Sequence, residues 1–313
     1  MNTTNRTSSE DQWMPVPASR CLPWLVFRMA EYLVIVSLNI IIMLVFVKQR
    51  QLQRRSTYLI INLTIVDMLV GSVGPLFIVR TGSSRCDLWK YNWPDVDWIN
   101  ILTIHLGVVL PLLSFFNLAV ISLERAHATF RPLKHRYIRK WVYGVLITAT
   151  WLVPLAMHGV GIALQRRFPR FNRNPVQFSY YFFLVFVICV SYIAIYIKVR
   201  CALHPQHHGA TGQRDRKLTT TLCLVSLVSL FTVLPMLVSH GVASFNMGMY
   251  RSFYRQSSFD IDMIKGTFFM GNSLINPIIY TMRMPGLRAG ILHIICRRAS
   301  NPVRPLEYRL RGL

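Results

Sequence analysis

Gly271-Asn272-Ser273-Leu274-Ile275-Asn276-Pro277-Ile278-Ile279-Tyr280 lies inside an apolar run near the end of the chain. Each polar side chain there costs free energy, and the proline removes a helix hydrogen bond. In lipid the backbone must satisfy itself internally, so Pro277 is compatible only with neighbours that repair the break. Asn272, Ser273 and Asn276 stand at i, i+1 and i+4, which places them on one helix face. Polar faces of membrane spans turn towards protein or trapped water. Tyr280, one turn beyond Asn276, continues this face.

The chain around this stretch is a polytopic membrane protein by composition. Of its 313 residues 53% are hydrophobic and 15% charged, with a mean hydropathy of +0.38. Soluble domains carry about 25% charged residues. The net charge of +23 raises nucleic acid as a partner, but the basic residues punctuate the gaps between apolar runs instead of forming one soluble face. That distribution suits anionic lipid headgroups, and nucleic-acid binding is rejected.

Seven apolar segments reach spanning length, at 24–47, 57–79, 98–126, 141–164, 178–200, 217–241 and 259–282. They predict an all-α bundle of seven transmembrane helices over 24–282, after an N-terminal tail of residues 1–23. An odd number of spans puts the termini on opposite sides. Loops 48–56 and 127–140 hold basic residues and no acid, segment 198–217 sets five basic residues against Asp215, and 283–313 sets seven arginines against Glu307. The other side collects Asp87, Asp95, Asp97, Asp260 and Asp262. The positive-inside rule then predicts an extracellular N-terminus and a cytoplasmic tail. The exception is loop 165–178, placed outside yet carrying Arg166, Arg167, Arg170 and Arg173.

On this orientation Asn2 and Asn5 open glycosylation acceptor triplets. No cleavable signal peptide is read at the N-terminus. Cys21 and Cys86 are the cysteines facing outside, and so are candidates for a bond between the N-terminal segment and the first outer loop. Residues 283–298 mix apolar and basic positions as an amphipathic helix on the inner membrane surface does, with 299–313 as a cytoplasmic tail. Cys296, beside Arg297 and Arg298, is a palmitoylation candidate, with an unmodified cysteine as the alternative.

Within the spans, Asp67 is the acid read near the midplane, and an unpaired charge there demands partners or an ion. Asn39, Ser114, Asn272, Ser273 and Asn276 are the candidate partners. At the end of the third span Glu124 precedes Arg125, with Pro132 beyond. Asp215 opens the sixth span, twenty residues before Pro235.

The Asn276-Pro277-x-x-Tyr280 pattern resembles the seventh helix of rhodopsin-like G-protein-coupled receptors. Asp67, Glu124-Arg125, Trp151, Tyr192 and Pro235 extend the resemblance over residues 24–298. It implies a plasma-membrane receptor for an extracellular ligand that opens its inner face to a heterotrimeric G protein. Glu124, Arg125, Asp215, Tyr192, Asn276, Pro277 and Tyr280 would form the switch. It also implies a sodium ion among Asp67, Ser114, Asn272, Ser273 and Asn276, with a protonated, purely hydrogen-bonded aspartic acid as the alternative.

The departures from the pattern are specific. Asn100 stands where the family has the outer cysteine of the third helix, and loop 165–178 has no cysteine to pair with one. Thr232-Val233-Leu234-Pro235 lacks the aromatic toggle of the sixth helix, Ser229 replaces a core phenylalanine, the fifth helix has no proline, and Ala126 replaces a tyrosine. Gly107 excludes the aspartate that holds an amine ligand, and Met270 excludes the lysine that holds retinal. The expected pocket is apolar, lined by Gly107, Val108, Pro111, Met236 and Met270, with His105 and His240 as polar contacts. The arginines of loop 165–178 suggest an acidic lipid or peptide. Two other classes remain as alternatives, a seven-helix binding or scaffold protein that does not couple, and a transporter. No metal-ligand cluster, nucleophile triad or phosphate loop points to an enzyme.

Overall fold

Apolar runs of spanning length form long helices that continue through Pro23, Pro75, Pro111, Pro154, Pro235 and Pro277. The computed structural model describes residues 15–49, 57–89, 97–168, 174–201, 210–245 and 247–295. In chain order these form α1 (Ala18–Lys48), α2 (Thr57–Ser84), α3 (Asp97–Phe130), a short α4 (Pro132–Arg136), α5 (Lys140–Arg167), α6 (Asn174–Cys201), α7 (Ala210–Phe245), α8 (Met247–Arg283) and α9 (Pro285–Ile295). The protein is an all-α, multi-pass membrane bundle.

Among the described residues α1, α2, α3, α5, α6 and α7 contain stretches long and apolar enough to cross a membrane. Asp260, Asp262, Lys265 and the polar stripe of Asn272, Ser273 and Asn276 make α8 less apolar. It nevertheless packs against α1, α2 and α7 as an integral wall of the bundle. The helices run past the expected spans, α8 furthest, starting at Met247 instead of residue 259. The loop expected over 165–178 is correspondingly shorter, because Arg166 and Arg167 form the last turn of α5 and α6 begins at Asn174. Arg170 and Arg173 lie outside the described residues, as do Asn2, Asn5 and Cys296.

Helix α3 occupies the middle, touching α2, α5, α6, α7 and α8, and α1 closes the ring between α2 and α8. The perimeter is apolar, and a seam of polar side chains runs through an otherwise apolar core. Val26, Phe27, Leu33, Val145, Leu152, Val160, Phe183 and Phe186 are exposed on the perimeter, more apolar surface than a soluble domain tolerates. Asn39, Asn62, Asp67, Ser114, Asn117, Asn272 and Asn276 are buried within.

Glycine permits close approach at several places, Gly74 and Gly107 among them. A Cβ at Gly74 would fall 2.1 Å from the Tyr32 ring, so α1 and α2 meet there only without a side chain. A Cβ at Gly107 would fall 1.8 Å from Phe77. Helix α9 folds back against α1 and α8. The pole that holds Ala18 is called the N-terminal pole below, and the other the distal pole.

At the N-terminal pole Cys21 and Cys86 form a disulfide with a Cα–Cα distance of 6.2 Å, inside the usual range. Asp260 of α8 accepts from Trp24 Nε1 and Arg20 Nε, both at 2.9 Å. Asp262 pairs with Lys265 at 3.0 Å and Arg85 at 3.6 Å. Lys265 Nζ also donates to Ser239 of α7 at 3.3 Å. These contacts tie the start of α1, the end of α2, and α7 to α8.

Candidate functional site

Asp67 sits on α2 facing the bundle axis, with no exposed surface. Ser114 Oγ from α3 and Ser273 Oγ from α8 both donate to its Oδ1, and Asn276 Nδ2 from α8 donates to Oδ2, each at 2.7 Å. Asn272 Nδ2 reaches Ser114 Oγ at 3.3 Å. The i, i+1, i+4 spacing on α8 therefore aims all three polar side chains of the opening stretch at one carboxylate system. Three hydrogen bonds converge on one buried carboxyl group, each contributing on the order of 1 kcal/mol net.

The proline break is repaired by a neighbour. Pro277 has no N–H to give the carbonyl of Ser273, one turn back, and Asn39 Nδ2 of α1 donates to that oxygen at 3.2 Å. Thr281 Oγ1 donates to the Pro277 carbonyl at 2.8 Å. One polar seam thus joins α1, α2, α3 and α8. It continues sideways to α5, where Trp151 Nε1 donates to Asn62 Oδ1 at 3.0 Å and Asn62 Nδ2 donates to Thr150 Oγ1 at 2.9 Å.

The seam holds more acceptors than the protein fills. The Oδ1 atoms of Asn39, Asn117, Asn272 and Asn276, Ser229 Oγ and Tyr280 Oη are buried without a hydrogen-bond partner among the described residues. Buried polar groups are normally satisfied by protein or by ordered water. Asp67, Ser114 and Ser273 contribute the oxygens that hard cations take, while Asn272 and Asn276 turn their amide nitrogens to Ser114 and Asp67. A sodium ion among Asp67, Ser114, Asn272, Ser273 and Asn276 would need the two amides turned over so that their oxygens face Asp67.

Towards the distal pole, Arg125 of α3 is almost fully buried. Its Nε meets Glu124 Oε2 at 2.5 Å and its Nη2 meets Glu124 Oε1 at 2.6 Å, a two-point ion pair. His135 Nε2 of α4 approaches the same Oε1 at 2.7 Å, and Tyr143 Oη of α5 donates to it at 3.1 Å. Asp215 lies in α7, with its side chain outside the described residues. Tyr192 and Tyr280 are buried on α6 and α8.

The expected ligand residues stand on α3, α7 and α8. His105 Nδ1 lies 3.0 Å from His158 Nε2 on α5, so its polar edge faces a neighbouring helix. The space beside Gly107 is filled by Phe77. His240 stacks on Tyr181, ring centres 6.2 Å apart, and Pro111 and Met270 are buried while Val108 and Met236 are half-buried. A shallow crevice between α3, α5 and α6 is lined by Leu112, Met157, His158 and Tyr180 and by none of the seven expected residues.

Some interior groups lie outside the motifs of the sequence. Arg28 Nη1 pairs with Glu31 Oε2 at 2.6 Å, and the Arg28 guanidinium lies 4.7 Å over the Tyr32 ring while bonding its hydroxyl. Glu31 thus joins Asp67 and Glu124 as a buried acid. Its partner stands one helical turn away, the short-range pairing a single helix permits. Opposite charges at i, i+3 within an apolar span are the local signal of such a pair. His135, His158 and Tyr143 act across helices, and no local spacing marks them. The model of the 7 transmembrane receptor (rhodopsin family) matches residues 38–280 of the chain.

Proposed function

The chain belongs to the rhodopsin family of seven-transmembrane receptors, and on that premise we propose that it is a plasma-membrane receptor that couples an extracellular ligand to a heterotrimeric G protein through Arg125. The N-terminal pole faces outward in this reading and the distal pole faces the cytoplasm, as the basic loops favour. The observation that carries it is the buried two-point pair between Arg125 and Glu124, set at the pole where a cytoplasmic partner would dock.

A buried arginine whose seated acid, among the described residues, is its chain neighbour is released by swinging its own side chain away from Glu124, with no second helix to be broken from it. Freed, the guanidinium presents planar donors to a partner's backbone carbonyls. Tyr192 and Tyr280 stand along the same route, with Asp215 of α7 as the second acid of the switch. Upstream, Ser273 and Asn276 bind α8 to Asp67, so displacement of α8 has to break those bonds. A sodium ion, when bound, would add charge that holds Asp67, Ser114 and α8 in the resting arrangement. Asn276-Pro277 supplies the weak point about which α8 can bend.

The ligand is neither a primary amine nor retinal on the chemistry of Gly107 and Met270. We place it among acidic lipids or peptides, drawn by the basic end of α5 that Arg166 and Arg167 form. The test is nucleotide exchange on a panel of purified G proteins with the receptor in lipid nanodiscs. Wild type raises exchange above receptor-free G protein, and Arg125→Ala abolishes the increase. Glu124→Gln raises basal exchange by about tenfold, the effect of removing roughly 1.4 kcal/mol of restraint. Silence with every G protein, alongside correct folding, would assign the chain to non-coupling binding instead.

A further inference from the structure

Helices α5 and α6 both pack on α3. Between them, in the half of the bundle nearer the N-terminal pole, runs the crevice lined by Leu112, Met157, His158, Val176, Gln177 and Tyr180. Its floor is Leu112 of α3, which is buried, and its outer wall is Met157 of α5, 42% exposed. Methionine is unbranched and flexible, so this wall swings aside at little cost. One turn from lining residues, Val160 of α5 and Phe183 of α6 are exposed on the apolar perimeter. The crevice therefore opens towards the bilayer.

Two of its polar features call for a partner. Tyr180 Oη is buried without a hydrogen-bond partner among the described residues, whereas a buried hydroxyl normally has one. Gln177 stands one turn before it on the same face of α6. Above the crevice, α5 ends in Arg166 and Arg167, both exposed. Neither α5 nor α6 contains an acidic residue, so neither wall supplies a counter-ion.

We propose that this crevice seats an acidic single-chain lipid that enters from the outer leaflet. Its acidic head meets Arg166 and Arg167, an oxygen of its glycerol backbone meets Tyr180 and Gln177, and its chain lies over Leu112 behind Met157. This rests on the reading of the ligand as acidic, and it selects lipid over peptide. A peptide placed against the bilayer-facing perimeter would have to leave backbone groups unsatisfied in hydrocarbon. The depth suits a lipid. From Arg166 to His158 the helix descends about 12 Å, which the reach of the arginine side chains shortens to roughly the 5–8 Å depth of one interfacial zone.

The experiment uses the full chain in phosphatidylcholine nanodiscs and a glycerol phosphate carrying one oleoyl chain with a diazirine in it. Labelled peptides are mapped by mass spectrometry. Saturable labelling should fall on the segments carrying Met157 and Tyr180. Unmodified oleoyl glycerol phosphate should displace it, and neutral oleoyl glycerol and cholesterol should not. Tyr180→Phe should weaken half-saturation about threefold to tenfold, and Arg166→Gln combined with Arg167→Gln about tenfold. Met157→Trp fills the crevice and should abolish labelling, whereas Val145→Trp, at an exposed position far along α5, should leave it unchanged. Equal displacement by neutral oleoyl glycerol or cholesterol reduces the crevice to ordinary lipid contact and overturns the proposal. Saturable labelling that maps to α7 and α8 and ignores Met157→Trp also overturns it, while leaving an acidic lipid as the ligand. Absence of saturable labelling overturns both. The expected labelling in a receptor silent in nucleotide exchange sustains the site, and the coupling reading alone fails.

Discussion

Replacing Asp67 by asparagine separates the charge of the central site from its hydrogen bonding. The two side chains have the same shape. The introduced amide would keep an oxygen for Ser114 and Ser273, which both bond Oδ1. Its nitrogen would replace Oδ2 and face Asn276 Nδ2, donor against donor across 2.7 Å. Asn276 has a remedy, because its own Oδ1 is buried without a partner among the described residues. Turning its amide over converts the clash into a hydrogen bond. The substitution also removes a buried charge whose desolvation opposes folding. In sodium-free buffer Asp67→Asn should therefore lie within about 1 kcal/mol of wild type.

Sodium should distinguish them. An ion bound at ten times its dissociation constant stabilises by about 1.4 kcal/mol, a rise of roughly 3–6 °C in midpoint for a domain of this size. The assay is thermal unfolding in detergent, followed by a thiol-reactive dye at the free, half-buried Cys189 and Cys223. Sodium chloride is compared with choline chloride at equal ionic strength. Wild type should show the shift, Ser273→Ala a smaller one, and Asp67→Asn none. An equal sodium shift in Asp67→Asn would move the ion elsewhere. No shift in wild type would leave Asp67 as the centre of a hydrogen-bonded network alone.

Two further outcomes test the packing that holds the site. Cys86→Ser opens a crosslink spanning 65 residues of chain and should destabilise by about 2–4 kcal/mol, read as a lower midpoint insensitive to reductant; the Asp260 and Asp262 contacts keep the loss below that of an isolated loop. Gly74→Ala drives a methyl into the Tyr32 ring and should cost about 1–3 kcal/mol, whereas Gly144→Ala, with nothing within 4 Å of the added carbon, should be neutral or stabilising; equal effects would show that the α1–α2 contact tolerates expansion.

Much of this protein is written in local spacing. Apolar run length and basic junctions determine a multi-pass helical bundle, because a bilayer requires helices of that length whatever they pack against. The offsets of Asn272, Ser273 and Asn276 put them on one face, and the expense of an intramembrane carboxylate singled out Asp67. Sequence could demand a repair for Pro277 without naming the donor. Asn39, more than two hundred residues away, supplies it only because α1 lies beside α8. The same limit applies to the ligand residues. Position along α3, α7 and α8 suggests which residues line a pocket but not what each touches: His105 meets His158, and Phe77 fills the space at Gly107. Helix rotation and the depth of contact decide such outcomes, and they depend on which side chains interlock between helices. Periodicity along one helix carries no information about the rotation of the next. That is why the polar seam was legible in the sequence, while the sharing of Glu124 among Arg125, His135 and Tyr143 was decided by the tertiary structure alone.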